Sequence, residues 1–171
     1  MGCLAAYSAT AANTITTVTL NAIGTSSSIT DSALTTLNLS GASTSGATLL
    51  ITDNLTAHTV ANVLALNTTA ATGGVIITAA KVGTLNITNS GTSALGAFTD
   101  ANLTAVTVAG SGVVTLGANS ATTETVTGSV GVTQTIDNSV VTFNASGTTG
   151  TNTITTSTNS TKVVTAGSGG S

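Results

Sequence analysis

Three aspartates are the residues best placed to do chemistry. Asp31 and Asp53 each close an Ile-Thr-Asp tripeptide, 22 positions apart, and Asp100 closes the related Phe-Thr-Asp. They are three of only five acids in the chain. If these positions recur in a stacked repeat, their carboxylates lie a few ångströms apart and repel unless a cation separates them. Calcium gathers several hard oxygen ligands, so Asp31, Asp53 and Asp100 are candidate calcium ligands. The competing reading is that each Asp caps a turn through its own backbone, as Asx-turns do. The interval from 53 to 100 is too wide for a continuous stack, which favours the cap. Asn54 and Asn102, just after two of these acids, could lend amide oxygens to either arrangement.

Little else in the sequence suits catalysis. His58 is the only histidine, in "NLTAHTVAN", and no nucleophile-elbow pattern surrounds any serine. Glu124 and Asp137 are isolated, without the spacing of a carboxylate pair. The lone Cys3 excludes an internal disulfide or a multi-cysteine metal site. The expectation is a chain that is not an enzyme and uses no cofactor beyond calcium. Two lysines, Lys81 and Lys162, make no basic patch, so no nucleic-acid partner is expected. No apolar run reaches the length needed to span a bilayer. The opening "MGCLAAYSA" lacks the charged and long apolar regions of a signal peptide, and Ala6 stands where myristoylation wants Ser or Thr.

The elements that must hold these residues follow from composition. Threonine supplies 41 of the 171 residues; Pro and Trp are absent and charged residues make up 4%. Thr and Val crowd a helix but pack well on a pleated surface, so the chain is expected to be all-β. A formal charge of only −3 and aliphatic residues throughout argue for order. Short alternating clusters run along it, such as Thr17-Val18-Thr19-Leu20, Leu37-Asn38-Leu39, Leu85-Asn86-Ile87 and Val106-Thr107-Val108. Most are 8 to 12 residues apart with Gly, Asn or Ser between them, the pattern of many short strands.

The clusters also repeat. "LTTLNLSGASTSGATLLI" (34 to 51) matches "LTAVTVAGSGVVTL" (103 to 116), and "VGTLNITNSG" from 82 shares their opening. A tag, a strand, a Gly turn and a second strand suit a β-solenoid (β-helix-like) of stacked rungs of about twenty residues. A single rung buries nothing; stacking pairs every strand and lines up inward aliphatics. Absence of Pro fits strands paired on both edges. We divide the chain into a lead-in (1–13), one solenoid domain (14–166, repeat clearest over 29–117) and a flexible Gly/Ser tail (167–171).

This pattern resembles the repeats of bacterial surface-layer proteins and large secreted adhesins, which are similarly rich in Thr, Ala, Gly, Ser and Asn and acidic. The resemblance covers roughly 14 to 120. It implies an extracellular, cell-surface structural segment that self-assembles into a lattice or filament, with cell-surface glycan as a further partner. Calcium-binding nonapeptides common in that group are missing, since "TGGVIITAA" (72 to 80) has paired glycines and no following Asp. Two smaller signals remain. Thr-x-Thr runs at 14–19, 123–127 and 151–158 resemble the faces of ice-binding solenoids, an alternative binding function. Sequons begin at Asn38, Asn54, Asn67, Asn86, Asn102, Asn144 and Asn159, as expected by chance with this much Thr.

Overall fold

The computed structural model describes residues 14–53, 62–156 and 162–169. Within them the chain is all-β, with no helix. The odd-numbered strands are β1 (Thr17–Asn21), β3 (Thr36–Ala42), β5 (Asn62–Thr72), β7 (Val82–Ser90), β9 (Ala105–Gly110), β11 (Thr123–Gly128), β13 (Thr142–Thr148) and β15 (Val163–Thr165). They form one parallel eight-stranded sheet in chain order. The even-numbered strands are β2 (Ser26–Thr30), β4 (Thr48–Thr52), β6 (Val75–Thr78), β8 (Thr92–Thr99), β10 (Val113–Leu116), β12 (Gly131–Ile136) and β14 (Thr153–Thr156). They form a seven-stranded parallel sheet. Each rung is thus a strand of the wide sheet, a turn, a strand of the narrow sheet and a second turn. The chain is a two-sheet β-solenoid.

The rungs can be measured along one ladder. Thr17, Thr36, Ala65, Asn86, Thr107, Thr125, Asn144 and Thr165 pair in sequence across all eight strands of the wide sheet. Successive differences are 19, 29, 21, 21, 18, 19 and 21 residues, close to the expected twenty. The one long rung contains residues 54–61, which lie outside the described residues.

Alternation puts every second side chain between the sheets. Val18, Leu37, Leu66, Ile87, Val108 and Val126 stack as one inward column. Leu64, Leu85, Val106, Glu124 and Phe143 stack as another. From the narrow sheet, Leu49, Ile77 and Phe98 face them. Each fully buried Leu, Ile or Val adds ~1.5–3 kcal/mol. That contribution exists only when the neighbouring rungs are present, so stability is a property of the stack.

Ile29 pairs with Ile51 and Thr30 with Thr52, so the two Ile-Thr-Asp tags occupy one corner of adjacent rungs. The ladder corrects one detail of the motif match. Leu37 aligns with Leu85 and Val106 by sequence, but pairs in the ladder with Leu66, and through it with Ile87 and Val108. A slip of two residues preserves which side chains face inward, so the core does not register the difference. The stacking also continues through β11 to β15, beyond the part where the repeat is clearest in the sequence.

Candidate functional site

Two kinds of turn join the strands. Those running from the wide sheet to the narrow one contain Gly73, Gly91, Gly110 and Gly112, all with positive φ. Those returning from narrow to wide carry the polar chemistry. Asp31, Asp53, Lys81, Asp100, Asp137 and Lys162 all lie in these return turns. The remaining charged residue, Glu124, is in the core at 1% exposure. The two broad faces therefore carry no charged side chain.

The return turns act as caps. Asp31 is buried, and its Oδ1 accepts a hydrogen bond from the Ala33 amide at 2.7 Å. Asp100 is also buried; its Oδ1 accepts from the Asn102 amide at 2.9 Å and from Asn102 Nδ2 at 3.1 Å. Its Oδ2 accepts from the Val82 amide of the preceding rung at 2.7 Å. Asn119 repeats the device, with Oδ1 accepting from the Ala121 amide at 3.0 Å. An Asp or Asn bonded to the amide two residues on is the Asx-turn. Serines then tie the turns together: Ser120 Oγ donates to the Asp100 carbonyl at 2.6 Å and Ser139 Oγ to the Asn119 carbonyl at 3.0 Å.

Both lysines serve this corner. Lys81 Nζ lies 3.8 Å from Asp53 Oδ1, and Lys81 adopts a left-handed φ of 64°. Such a backbone costs a non-glycine residue about 1–2 kcal/mol. Lys162 Nζ donates to the carbonyls of Asp137 and Val140 in the preceding rung. The chain thus supplies its own cations where acidic turns stack.

The three candidate calcium ligands are distributed along this corner rather than gathered. Asp31 and Asp53 fall in neighbouring rungs. The rung of Lys81 intervenes before Asp100, which the register sets beside Ala79. Among the described residues no group of three or more Asp, Glu, His or Cys could hold a metal ion. Of the sequon asparagines, Asn38 and Asn67 form an amide ladder on the wide sheet: Asn67 Nδ2 donates to Asn38 Oδ1 at 2.9 Å, and Asn38 Nδ2 to Thr19 Oγ1 at 3.0 Å. His58, Cys3, Asn54 and Asn159 lie outside the described residues.

Sequence reasoning missed a buried polar cluster. Asn119 Nδ2 donates to Glu124 Oε1 at 2.6 Å, and Gln134 Nε2 donates to the same oxygen at 2.9 Å. All three side chains are at least nine-tenths buried. Glu124 Oε2 and Gln134 Oε1 have no hydrogen-bond partner. The signal was a polar residue at an inward position of an alternating strand, which reads like a break in the repeat. Asn119 also lines a cleft of about 260 Å³ at the corner, with Phe98, Thr99, Ser120, Asp137 and Ser139.

Comparison of the chain with protein-family models, with curated proteins and with solved structures found no match. The fold is seen directly, and function has to be argued from surface chemistry. No helix among the described residues is long and apolar enough to cross a membrane.

Proposed function

We propose that this chain is a structural segment of a self-assembling extracellular surface layer, filament or large adhesin. The observation that carries the reading is the confinement of charge to one corner and the core, which leaves two broad faces uncharged. Like-charged surfaces resist close packing, and faces without charge lack that barrier. The ends of the stack add a second opportunity. Among the described residues β1, β2, β14 and β15 each pair with one neighbour, and an edge strand is a template for another chain. The carboxylates of Asp31 and Asp100 accept backbone amides, which suits holding a shape better than transferring a proton.

Sedimentation velocity over a wide concentration range, followed by electron microscopy, tests this. Concentration-dependent growth into sheets or filaments is expected. A monomer at every concentration, in the presence and absence of calcium, overturns it.

One observation favours a second reading, a binding module for ice or glycan. Thr133 and Thr135 pair in register with Thr153 and Thr155, and Thr115 pairs with Thr133. All five are exposed. They set hydroxyls about 4.8 Å apart between rungs and about 6.7 Å apart along each strand. A monomer that produced thermal hysteresis would put this reading first.

A further inference from the structure

The outer face of the eight-stranded sheet is a large surface that neither core nor corner explains. Its ladder from Thr17 to Thr165 is unbroken. The narrow sheet is smaller, seven strands of which three are only four residues long. Outward positions of the wide sheet are Thr, Asn, Ser, Ala and Val, with no charged residue among them.

We propose that this wall is where two copies of the chain pack face to face; the inference rests on the self-assembly reading above and names its contact surface. Three physical points select a second copy as the occupant. First, the size is right. Eight strands at about 4.8 Å spacing and three outward residues per strand give an area of about 700 Å², close to the ~800 Å² per partner of a stable interface.

Second, the wall is prepared for a dry contact. The amide of Asn67 donates to Asn38, and that of Asn38 to Thr19, along the stack. Amides used that way do not have to be stripped of water when another surface arrives. Asparagine ladders flanked by small side chains favour interdigitated sheet-to-sheet packing.

Third, the surface is complementary to itself. Its small side chains recur at one rung spacing, so a partner must carry the same period and no charge. A second copy brings that wall, and a two-fold axis lets the same patch serve both molecules.

The test adds charge to one face at a time. Thr36→Lys with Thr107→Lys places two lysines three rungs apart on the wide sheet, and Thr48→Lys places one on the outer face of the narrow sheet. Assembly is followed by sedimentation velocity and electron microscopy, with circular dichroism to show that the β fold is retained. The expected result is that the wide-sheet pair raises the concentration needed for assembly at least tenfold, while Thr48→Lys leaves it unchanged. Wild-type-like assembly of the wide-sheet pair overturns this contact but leaves the self-assembly reading standing. Equal loss with Thr48→Lys also overturns it, because charge on any face would then suffice. A wild-type chain that never assembles removes both readings. If the lysine pair fails to fold, Thr36→Val with Thr107→Val replaces it. That pair keeps the β-branched shape without hydroxyls and is expected to assemble at an equal or lower concentration; weaker assembly overturns the proposal.

Discussion

Gln134 Nε2 donates to Glu124 Oε1 at 2.9 Å across the interior, joining the two sheets through a carboxylate buried between them. Glu124 is stacked between Val106 and Phe143, and Gln134 between Leu116 and Ile154. Both sit where every argument from hydrophobic burial calls for an aliphatic residue. An unmatched oxygen on each side chain adds the cost of desolvation without a partner. The pair ties the two sheets together at this level and leaves two buried oxygens unmatched.

Removing half of this pair is predicted to be worse than removing both members. Gln134→Leu takes away a donor from a buried carboxylate and should destabilise the fold by about 1–3 kcal/mol. Adding Glu124→Leu makes both columns continuous apolar ladders but strips the buried Asn119 Nδ2 of its partner, so it should recover part of that loss. Urea unfolding of the two variants checks the order. A double variant less stable than Gln134→Leu alone would show that the cluster stabilises the fold.

The same pair explains what the sequence disclosed and what it hid. The corner shared by Ile29 and Ile51 was legible, because an exact tag at rung spacing marks equivalent turns. The inward set was legible in β9, where Val106 and Val108 are buried and Thr107 is not. After residue 117 the pattern fades because inward positions go to Glu124, Gln134 and Thr148, all buried. Thr148 is held by its own chemistry, donating Oγ1 to the Val130 carbonyl at 2.7 Å and accepting from the Gly150 amide at 3.0 Å. Period-two reasoning assigns such residues outward and loses the rung. The corner lysines were hidden for another reason. Lys81 and Lys162 stand in turns of different length, so nothing in their spacing links them to Asp53 or Asp137.

The aspartates should behave as caps of unequal weight. Asp100 accepts three hydrogen bonds, one from the neighbouring rung, whereas Asp31 accepts from Ala33 two residues on. Asp100→Ala leaves buried amides without partners and is expected to cost about 2–3 kcal/mol; Asp31→Ala should cost about 1 kcal/mol. Thermal melting should be the same with a chelator and with millimolar calcium. A calcium-dependent rise in Tm that Asp31→Ala or Asp53→Ala abolishes would instead assign these residues to the metal.

Lys162 is predicted to matter through hydrogen bonds more than through charge. Its ammonium group binds the carbonyls of Asp137 and Val140, closing the turn below it. Lys162→Met keeps the aliphatic stem and strips both bonds, which should destabilise the last rungs by about 1–3 kcal/mol. Hydrogen exchange locates the effect: amides of β13 and β15 should lose protection while those of β3 and β5 keep theirs. Uniform loss across the chain would contradict a local capping role.

Glycine substitutions separate backbone conformation from rung contact. Gly46 has a φ of +72°, with nothing within 4 Å of a Cβ built on it. Gly46→Ala therefore meets only the left-handed penalty, about 1 kcal/mol. Gly112 has a similar φ of +77°, but its Cβ would sit 2.0 Å from the carbonyl oxygen of Gly91 in the rung beneath. That atom is backbone in a paired stack, and it yields only if the rungs part. Gly112→Ala should thus cost several times what Gly46→Ala does. Gly24→Ala, where φ is ordinary and the space is open, should be close to neutral. Urea midpoints in the order Gly24→Ala, Gly46→Ala, Gly112→Ala, from highest to lowest, are expected. Equal midpoints for the last two would mean that the turn column is looser than the stacked rungs require.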